Sequence, residues 1–382
     1  MAKTTSALAT PLREQLDRLA RFEPTDLPVL SLYLDRRPNG RGTHDSFLRK
    51  ALSERAGMLQ GEGRKSFERD TERIRDYLDN DVRKSANGLA IFACAGAGDF
   101  FEAVQLDAPI PDHWLFIGSV PHLYPLARVN DQFPRYAALI LDTNSARLFV
   151  FGLGATEARH DVTSVKTRKS SMGGWSQARF QRRIEHFHEQ HMKEVADLLD
   201  RVVREDDLTK IVIACDDVAR PLLLAQLPQH LQEKIVDITA LDAREGESAV
   251  LRDTLDVLRQ HDADTDVARV QALRDAWLGG GLGVVGPDST LRALSMAQVE
   301  ELLITASPDR LAHARQLPPG AAPGPVDVDT SAAAAAADAD QLKLADELVT
   351  RAQQQSARIR FIEDPALLQD VGGVGAILRF RI

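Results

Sequence analysis

Between Val162 and Ile184 the chain has no acidic residue, yet this stretch holds Lys166, Arg168, Lys169, Arg179, Arg182 and Arg183. Gly173-Gly174 lie between the two basic groups. Paired glycines let a backbone take conformations closed to other residues and approach a partner closely. The cations around them can neutralise phosphates locally. Trp175, directly after the glycines, offers a ring on which a base can stack, or one that packs against the following helix. The combination asks for a nucleic-acid-facing tip. The same composition also suits a solvated loop leading into an amphipathic helix.

The rest of the chain narrows what such a tip could serve. At 382 residues the chain predicts two or three domains. Lys+Arg 47 against Asp+Glu 56 gives 47 − 56 = −9, which excludes a uniformly basic coat and confines any RNA contact to a local patch. Cys94 and Cys215 are the only cysteines, too few for a disulfide framework or a cysteine-built zinc site. A reducing cytoplasm is the expected compartment. No apolar segment follows Lys3, and no run approaches the length needed to span a membrane.

Other chemistry-like patterns carry less. Gly281-Leu282-Gly283-Val284-Val285-Gly286 satisfies the glycine pattern of dinucleotide sites, but it follows a helical stretch, Val270–Leu278, where a strand is required. His186, His188 and His191 crowd one helix; only His188 and His191 have i, i+3 spacing and no third ligand is identifiable, so a solvated polar face is the simpler reading. Asp216-Asp217 is read as the cap of the next helix. Neither cysteine has a basic neighbour or a histidine partner in sequence, which argues against a thiol nucleophile.

Periodicity predicts the elements that position the tip. Pro11–Phe22 reads as an amphipathic helix, Val29–Leu34 as a strand and Asp35–Gly40 as a turn-rich loop. Helices follow at about Asp45–Leu59 and Arg64–Leu78, then strands at Gly88–Cys94, Phe100–Leu106 and Trp114–Val120. In the second third, Tyr136–Leu141 and Ala146–Phe151 are strands joined by a turn, and Thr156–Val162 adds another. After the basic stretch come a long helix, Ser176–Val203, a strand, Lys210–Ala214, and a helix, Val218–Leu227. Then come helices at Ser248–Leu278 and Asp288–Gln298, the latter capped by Asp288 or Ser289, and a strand at Glu301–Thr305. Pro318–Asp329 reads as a flexible loop and Ala332–Ala337 as low complexity. A helix at Gln341–Gln354 and strands at Arg358–Ile362 and Val374–Ile382 close the chain.

The wording of the tip adds a resemblance. Gly173-Gly174-Trp175-Ser176-Gln177-Ala178-Arg179-Phe180-Gln181-Arg182-Arg183 resembles the Gly-Gly-Gln-Ser loop and following Arg-Phe helix of the archaeal and eukaryotic class-I release factors and their Pelota relatives. Trp175 stands where those factors have glutamine, and Gln177 follows two places on. That arrangement is similar to the bacterial branch of the superfamily and to the mitochondrial-stress peptidyl-tRNA hydrolases of ribosome quality control. Gly283–Leu294, Ala297–Ile304 and Gly372–Phe380 resemble the third domain of the release factors.

The resemblance implies an α/β protein of three domains. These are 1–132, of no assigned role; 133–260, RNase H-like, with a protruding Gly-Gly loop at 163–177 that its composition makes mobile; and 261–382, an α/β sandwich like kink-turn-RNA-binding ribosomal proteins. It implies peptidyl-tRNA hydrolysis on a stalled ribosome or large subunit, with Gly173 and Gly174 placing the backbone and Gln177 the water. Arg168, Lys169, Trp175, Ser176, Arg179, Arg182 and Arg183 would meet RNA. The implied partners are the ribosome, ribosomal RNA and peptidyl-tRNA, with a translational GTPase as a candidate for delivery; no cofactor, metal or membrane is called for. The alternative is a non-catalytic hibernation or rescue factor occupying the aminoacyl site. A nuclease ranks last, because no carboxylate set with metal spacing is visible.

Overall fold

The computed structural model describes residues 12–37, 41–163, 176–239, 246–312, 329–330 and 339–380. Phe133–Asp262 form one compact unit, and the described residues on either side of that span form the other.

The Phe133–Asp262 unit begins with three antiparallel strands, Tyr136–Leu141 (β5), Ser145–Gly152 (β6) and Ala155–Thr163 (β7). A long helix, Ser176–Glu205 (α5), then leads to Ile211–Cys215 (β8), parallel to β5. Short helices Ala219–Leu224 (α6) and Gln229–Gln232 (α7) precede Ile235–Thr239 (β9), parallel to β8. The order β7-β6-β5-β8-β9, meander first and parallel strands after, is the RNase H-like arrangement. Period-two alternation divides its core. Ala137, Leu139 and Leu141 of β5 face Met192, Val195 and Leu199 of α5, whereas Tyr136, Ala138 and Ile140 face Val250 and Leu258 of the helix Glu247–Leu278 (α8).

The other unit carries two sheets. In the first, Val29–Asp35 (β1) lies between Gly88–Cys94 (β2) and Trp114–Gly118 (β4), with Phe100–Leu106 (β3) beside β2 and the two-residue Asp329–Thr330 (β12) beside β4. Helices Arg41–Met58 (α2) and Gly61–Asn80 (α3) cover one face through Leu48, Leu52, Phe67 and Ile74. In the second sheet, Gly283–Val285 (β10), Val374–Leu378 (β14), Val299–Thr305 (β11) and Arg358–Ile362 (β13) follow that order. Pro287–Ser295 (α9) and Ala339–Gln354 (α10) pack on one face of it. Val270 and Leu273 of α8 join Leu368 and Val371 on the other. This is the α/β sandwich expected of the carboxyl third.

Hydrogen bonds tie the two sheets of this unit together. The Asp346 carboxylate on α10 accepts from the Leu123 and Tyr124 amides at 2.6 and 3.0 Å, at the start of Tyr124–Gln132 (α4). His122 Nδ1 lies 3.3 Å from the same carboxylate. The Tyr124 hydroxyl donates to the Thr305 carbonyl, and the Phe361 amide to Asp131. Gln353 and Gln354 reach Asp17 and the Ala20 carbonyl of Leu12–Ala20 (α1).

Several short elements differ from the sequence reading. α4, α7, β9 and β10 have no counterpart in it, and α9 starts at Pro287 with Gly286 at the cap position, φ 82°, instead of Asp288 or Ser289. Proline at the first helical position and a left-handed glycine before it supply that start without a capping side chain. Gly283 explains the dinucleotide-like pattern differently: a Cβ there would lie 2.6 Å from the Trp277 amide nitrogen. That glycine lets the end of α8 close on β10. The Pro318–Asp329 loop, apart from its last residue, and Ala332–Ala337 lie outside the described residues. No helix among the described residues is long and apolar enough to cross a membrane.

Candidate functional site

The basic stretch connects β7 to α5, so its surroundings are set by where those two elements end. β5 finishes at Leu141, and Asp142 turns the chain into β6. Its Oδ1 accepts from the Asn144 and Ser145 amides at 2.7 and 2.8 Å, and its Oδ2 from the Ser145 hydroxyl at 3.1 Å. This is an Asx turn, in which a side chain replaces a backbone acceptor. Ser145, the first residue of β6, pairs with Thr163, the last of β7. One hydrogen-bonded edge thus holds both the turn and the point where the basic stretch leaves the sheet.

α5 returns from beyond that edge. Among the residues whose side chains are described, its buried stripe begins at His191 and continues through Val195, Leu199 and Val202. His191 is buried, and among the described residues neither of its ring nitrogens has a hydrogen-bond partner. From Ser176 to His191 is about 22 Å of helix at ~1.5 Å per residue. That length separates the start of α5 from the first buried residue of its described stripe. The first turn of α5 contains no acidic residue. A helix N-terminus has positive dipole character and unpaired amides, and here nothing acidic in that turn offsets it. Arg179, Arg182 and Arg183 follow at i, i+3 and i+4 spacing along this stretch. The backbone of α5 therefore presents an anion-facing end.

Arg168, Lys169, Gly173, Gly174 and Trp175, with nearly all of the 163–177 tip, lie outside the described residues. Ser176, Gln177, Arg179, Arg182 and Arg183 are placed on the opening turns of α5, which fixes their order along one helix. The expected mobility of the tip likewise falls on residues outside the described ones.

The neighbouring candidates resolve into structural roles. Asp216 Oδ1 accepts from the Val218 and Ala219 amides at 3.1 and 2.6 Å, the cap the sequence suggested. Cys94 and Cys215 are both buried, and burial raises both thiols above their ordinary range, which disfavours the thiolate a nucleophile needs. Among the described residues no group of three metal-capable side chains forms. The solvated histidine face needs correction. His186 is exposed, but His191 is 1% exposed and on the packed stripe. The signal was present in sequence, since His191, Val195, Leu199 and Val202 recur at helical spacing.

The chain is similar to several known proteins. Residues 121–259 match the family described as bacterial archaeo-eukaryotic release factor family 10. Over 319 residues the chain is 23% identical to peptide chain release factor subunit 1 of Methanopyrus kandleri, covering 80% of this chain and 76% of that one. The Thermoplasma acidophilum protein of the same name is 21% identical over 398 residues, covering 96% and 94%. Among solved structures, the archaeal translation termination factor matches at TM-score 0.26 and 16% identity, covering 97% of each chain. Pelota of Archaeoglobus fulgidus matches at 0.32 and 16%, covering 79% and 82%. The resemblance of the chain to the release factors and their bacterial branch holds.

Proposed function

We propose that this chain, a release-factor-like translation factor of the bacterial archaeo-eukaryotic branch, hydrolyses peptidyl-tRNA on a stalled ribosome or large subunit. The observation that carries the reading is a basic stretch that joins Thr163, the end of β7, to Ser176, the start of α5, with no acidic residue in the first helical turn. Such an arm suits a narrow, phosphate-lined passage. The named relatives are peptide chain release factors, and their substrate class is taken over with the reading. A translational GTPase remains the candidate for delivery.

The reaction divides into positions. A water oxygen bonds to the ester carbonyl carbon, the bond to the tRNA ribose oxygen breaks, and that oxygen takes the proton. Gly173 and Gly174 allow the backbone to approach and to offer amides to the developing oxyanion. Gln177 orients the water. Arg168, Lys169, Arg179, Arg182 and Arg183 hold ribosomal RNA, Trp175 stacks on a base, and Ser176 opens the helix against a phosphate.

Ribosomes carrying labelled peptidyl-tRNA test this directly, with release and co-sedimentation scored together. Gln177→Ala should lower release about 10²–10³-fold, the cost of one transition-state contact, while binding stays near parental, because the contact is absent from the ground state. Release at the parental rate would remove Gln177 from the mechanism. A parent that binds ribosomes but frees no peptide from any stalled substrate would be the hibernation or rescue factor instead.

A further inference from the structure

A cavity of about 340 Å³ lies between α2 and α3, within the range of about 300–1,000 Å³ that small-molecule sites occupy. Leu52 and Phe67, both buried, give it an apolar wall. Arg49 and Arg75 also line it, and both are exposed. Their surroundings set them apart from the other cations of these helices. Lys50, Arg64, Lys65 and Arg69 each have a carboxylate partner. Arg75 has none among the described residues, although Glu72 and Asp79 stand one turn away on either side, at spacings that allow pairing. Arg49 reaches only the Asp45 carbonyl, at 3.3 Å, while the Asp45 carboxylate lies 3.1 Å from His44. Thr71 completes the wall. It is 7% exposed, and its hydroxyl is buried without a hydrogen-bond partner. A helical threonine ordinarily gives that hydroxyl to the carbonyl one turn back. Here a turn about χ1 toward a ligand breaks no existing hydrogen bond.

We propose that this cavity binds a small organic anion, a carboxylate or phosphate group carried on a short apolar body. Only two residues connect α2 to α3, and Arg49 and Arg75 are the lining residues farthest from that connection on their respective helices. The two guanidinium groups therefore mark one end of the cavity, where planar donors on both sides suit a carboxylate or phosphate. Leu52 and Phe67 take the apolar body. The acidic rim limits the ligand further. Glu68 is held by Arg64 at 2.8 Å, whereas Glu72 has no cation among the described residues. An unpaired carboxylate there repels a ligand with charge spread along its length and accepts from a hydroxyl or ammonium group on the body. The site is independent of the release reading.

The test uses the full chain, with calorimetric titration for affinity and the Thr71 methyl resonance for location. The probes are phenyl phosphate, benzoate, inorganic phosphate and benzylammonium. Phenyl phosphate or benzoate should bind with a dissociation constant of about 1 mM or below and shift the Thr71 methyl saturably; the tighter of the two identifies the anionic group. Inorganic phosphate should bind about tenfold more weakly or worse, because it leaves the apolar wall unused. Benzylammonium should not bind. Arg49→Gln and Arg75→Gln should each weaken the aromatic anion about tenfold, the loss of one charge-assisted contact. Both side chains are exposed on helices, so neither change removes a packed group. Ser53→Trp, which fills the cavity from its α2 side without touching either arginine, should abolish binding. Three results overturn the proposal: no saturable Thr71 shift with either aromatic anion up to about 10 mM, unchanged affinity in the double Arg49→Gln/Arg75→Gln variant, or binding that survives Ser53→Trp. The last would mean that surface cations alone hold the anion.

Discussion

His122 and His191 are both buried, in different units and in different company. His122 lies beside a carboxylate, its ring stacked on Phe116 with centroids 3.7 Å apart, and its amide donates to the Ser31 hydroxyl. The Tyr33 hydroxyl donates to its carbonyl at 2.5 Å. His191 has an apolar stripe on its own helix, and among the described residues neither ring nitrogen has a hydrogen-bond partner. The first setting joins two sheets through groups that are used except His122 Nε2, which has no hydrogen-bond partner among the described residues. The second leaves donors and acceptors open at the root of the arm that would reach a substrate. Fully used buried polar groups hold one arrangement and are costly to disturb, whereas open ones leave a region where local opening costs less. The joint between the first and last sheets therefore serves as a frame, and the root of α5 as the adjustable element.

The largest effect should come from breaking the joint. Asp346→Ala removes the acceptor of two amides and the partner of His122 in one step. Leaving several buried groups unpaired at about 1–3 kcal/mol each should cost the unit about 3 kcal/mol or more, read by denaturant unfolding. Asp346→Asn keeps an acceptor oxygen for the amides and should lose less than half as much. A loss below about 1 kcal/mol for Asp346→Ala would mean that the joint does not bear the frame.

A second carboxylate in the same unit sharpens the contrast. Asp70 Oδ2 accepts from the Ala95 amide at 2.9 Å, but Oδ1 has no partner. Burial raises its carboxyl to about 6. The folded-state value lies above the ordinary 3.8, so its contribution to stability is fully present below about pH 4 and is lost as pH rises through about 6. Asp70→Asn should flatten that part of the pH profile and be about 1–2 kcal/mol more stable than the parent at pH 7, at ~1.4 kcal/mol for each tenfold change in proton affinity and with partial relaxation. Parallel profiles for parent and variant between pH 4 and 7 would show that Asp70 is not the group responsible.

These groups also mark where sequence reasoning reaches and where it stops. Gly88–Cys94 and Arg358–Ile362 are legible to the residue, the first as an apolar run bounded by turn residues and the second as charged and apolar residues in strand alternation. β9 and β10 are not, being short edge strands of five and three residues with little pattern to read. α4 hides behind Pro125, which sits in the first turn where proline is tolerated. The joint cannot be read at all, since His122 and Asp346 meet only through the fold. At the candidate site, the basic stretch and its glycines are visible as composition, and the helix after them as periodicity. The geometry of their root is not, because it depends on Ser145 pairing with Thr163 across two strands.

The smallest expected effect lies at that root and decides whether the turn or the histidine governs it. Asp142 holds the turn through three hydrogen bonds and lends negative charge to His191. Asp142→Ala removes both and should cost about 1 kcal/mol, as losing a local side-chain-to-backbone cap does. Asp142→Asn keeps an acceptor for the Asn144 and Ser145 amides and removes only the charge. If the turn governs the root, amide exchange at Ser145 and Thr163 should quicken in Asp142→Ala and stay parental in Asp142→Asn. If the charge beside His191 governs it, both variants should exchange faster by similar factors, since each loses the carboxylate that favours a proton on the ring. Parental exchange in Asp142→Ala would show that neither the turn nor its charge holds Thr163, leaving strand pairing with β6 to fix where the arm begins.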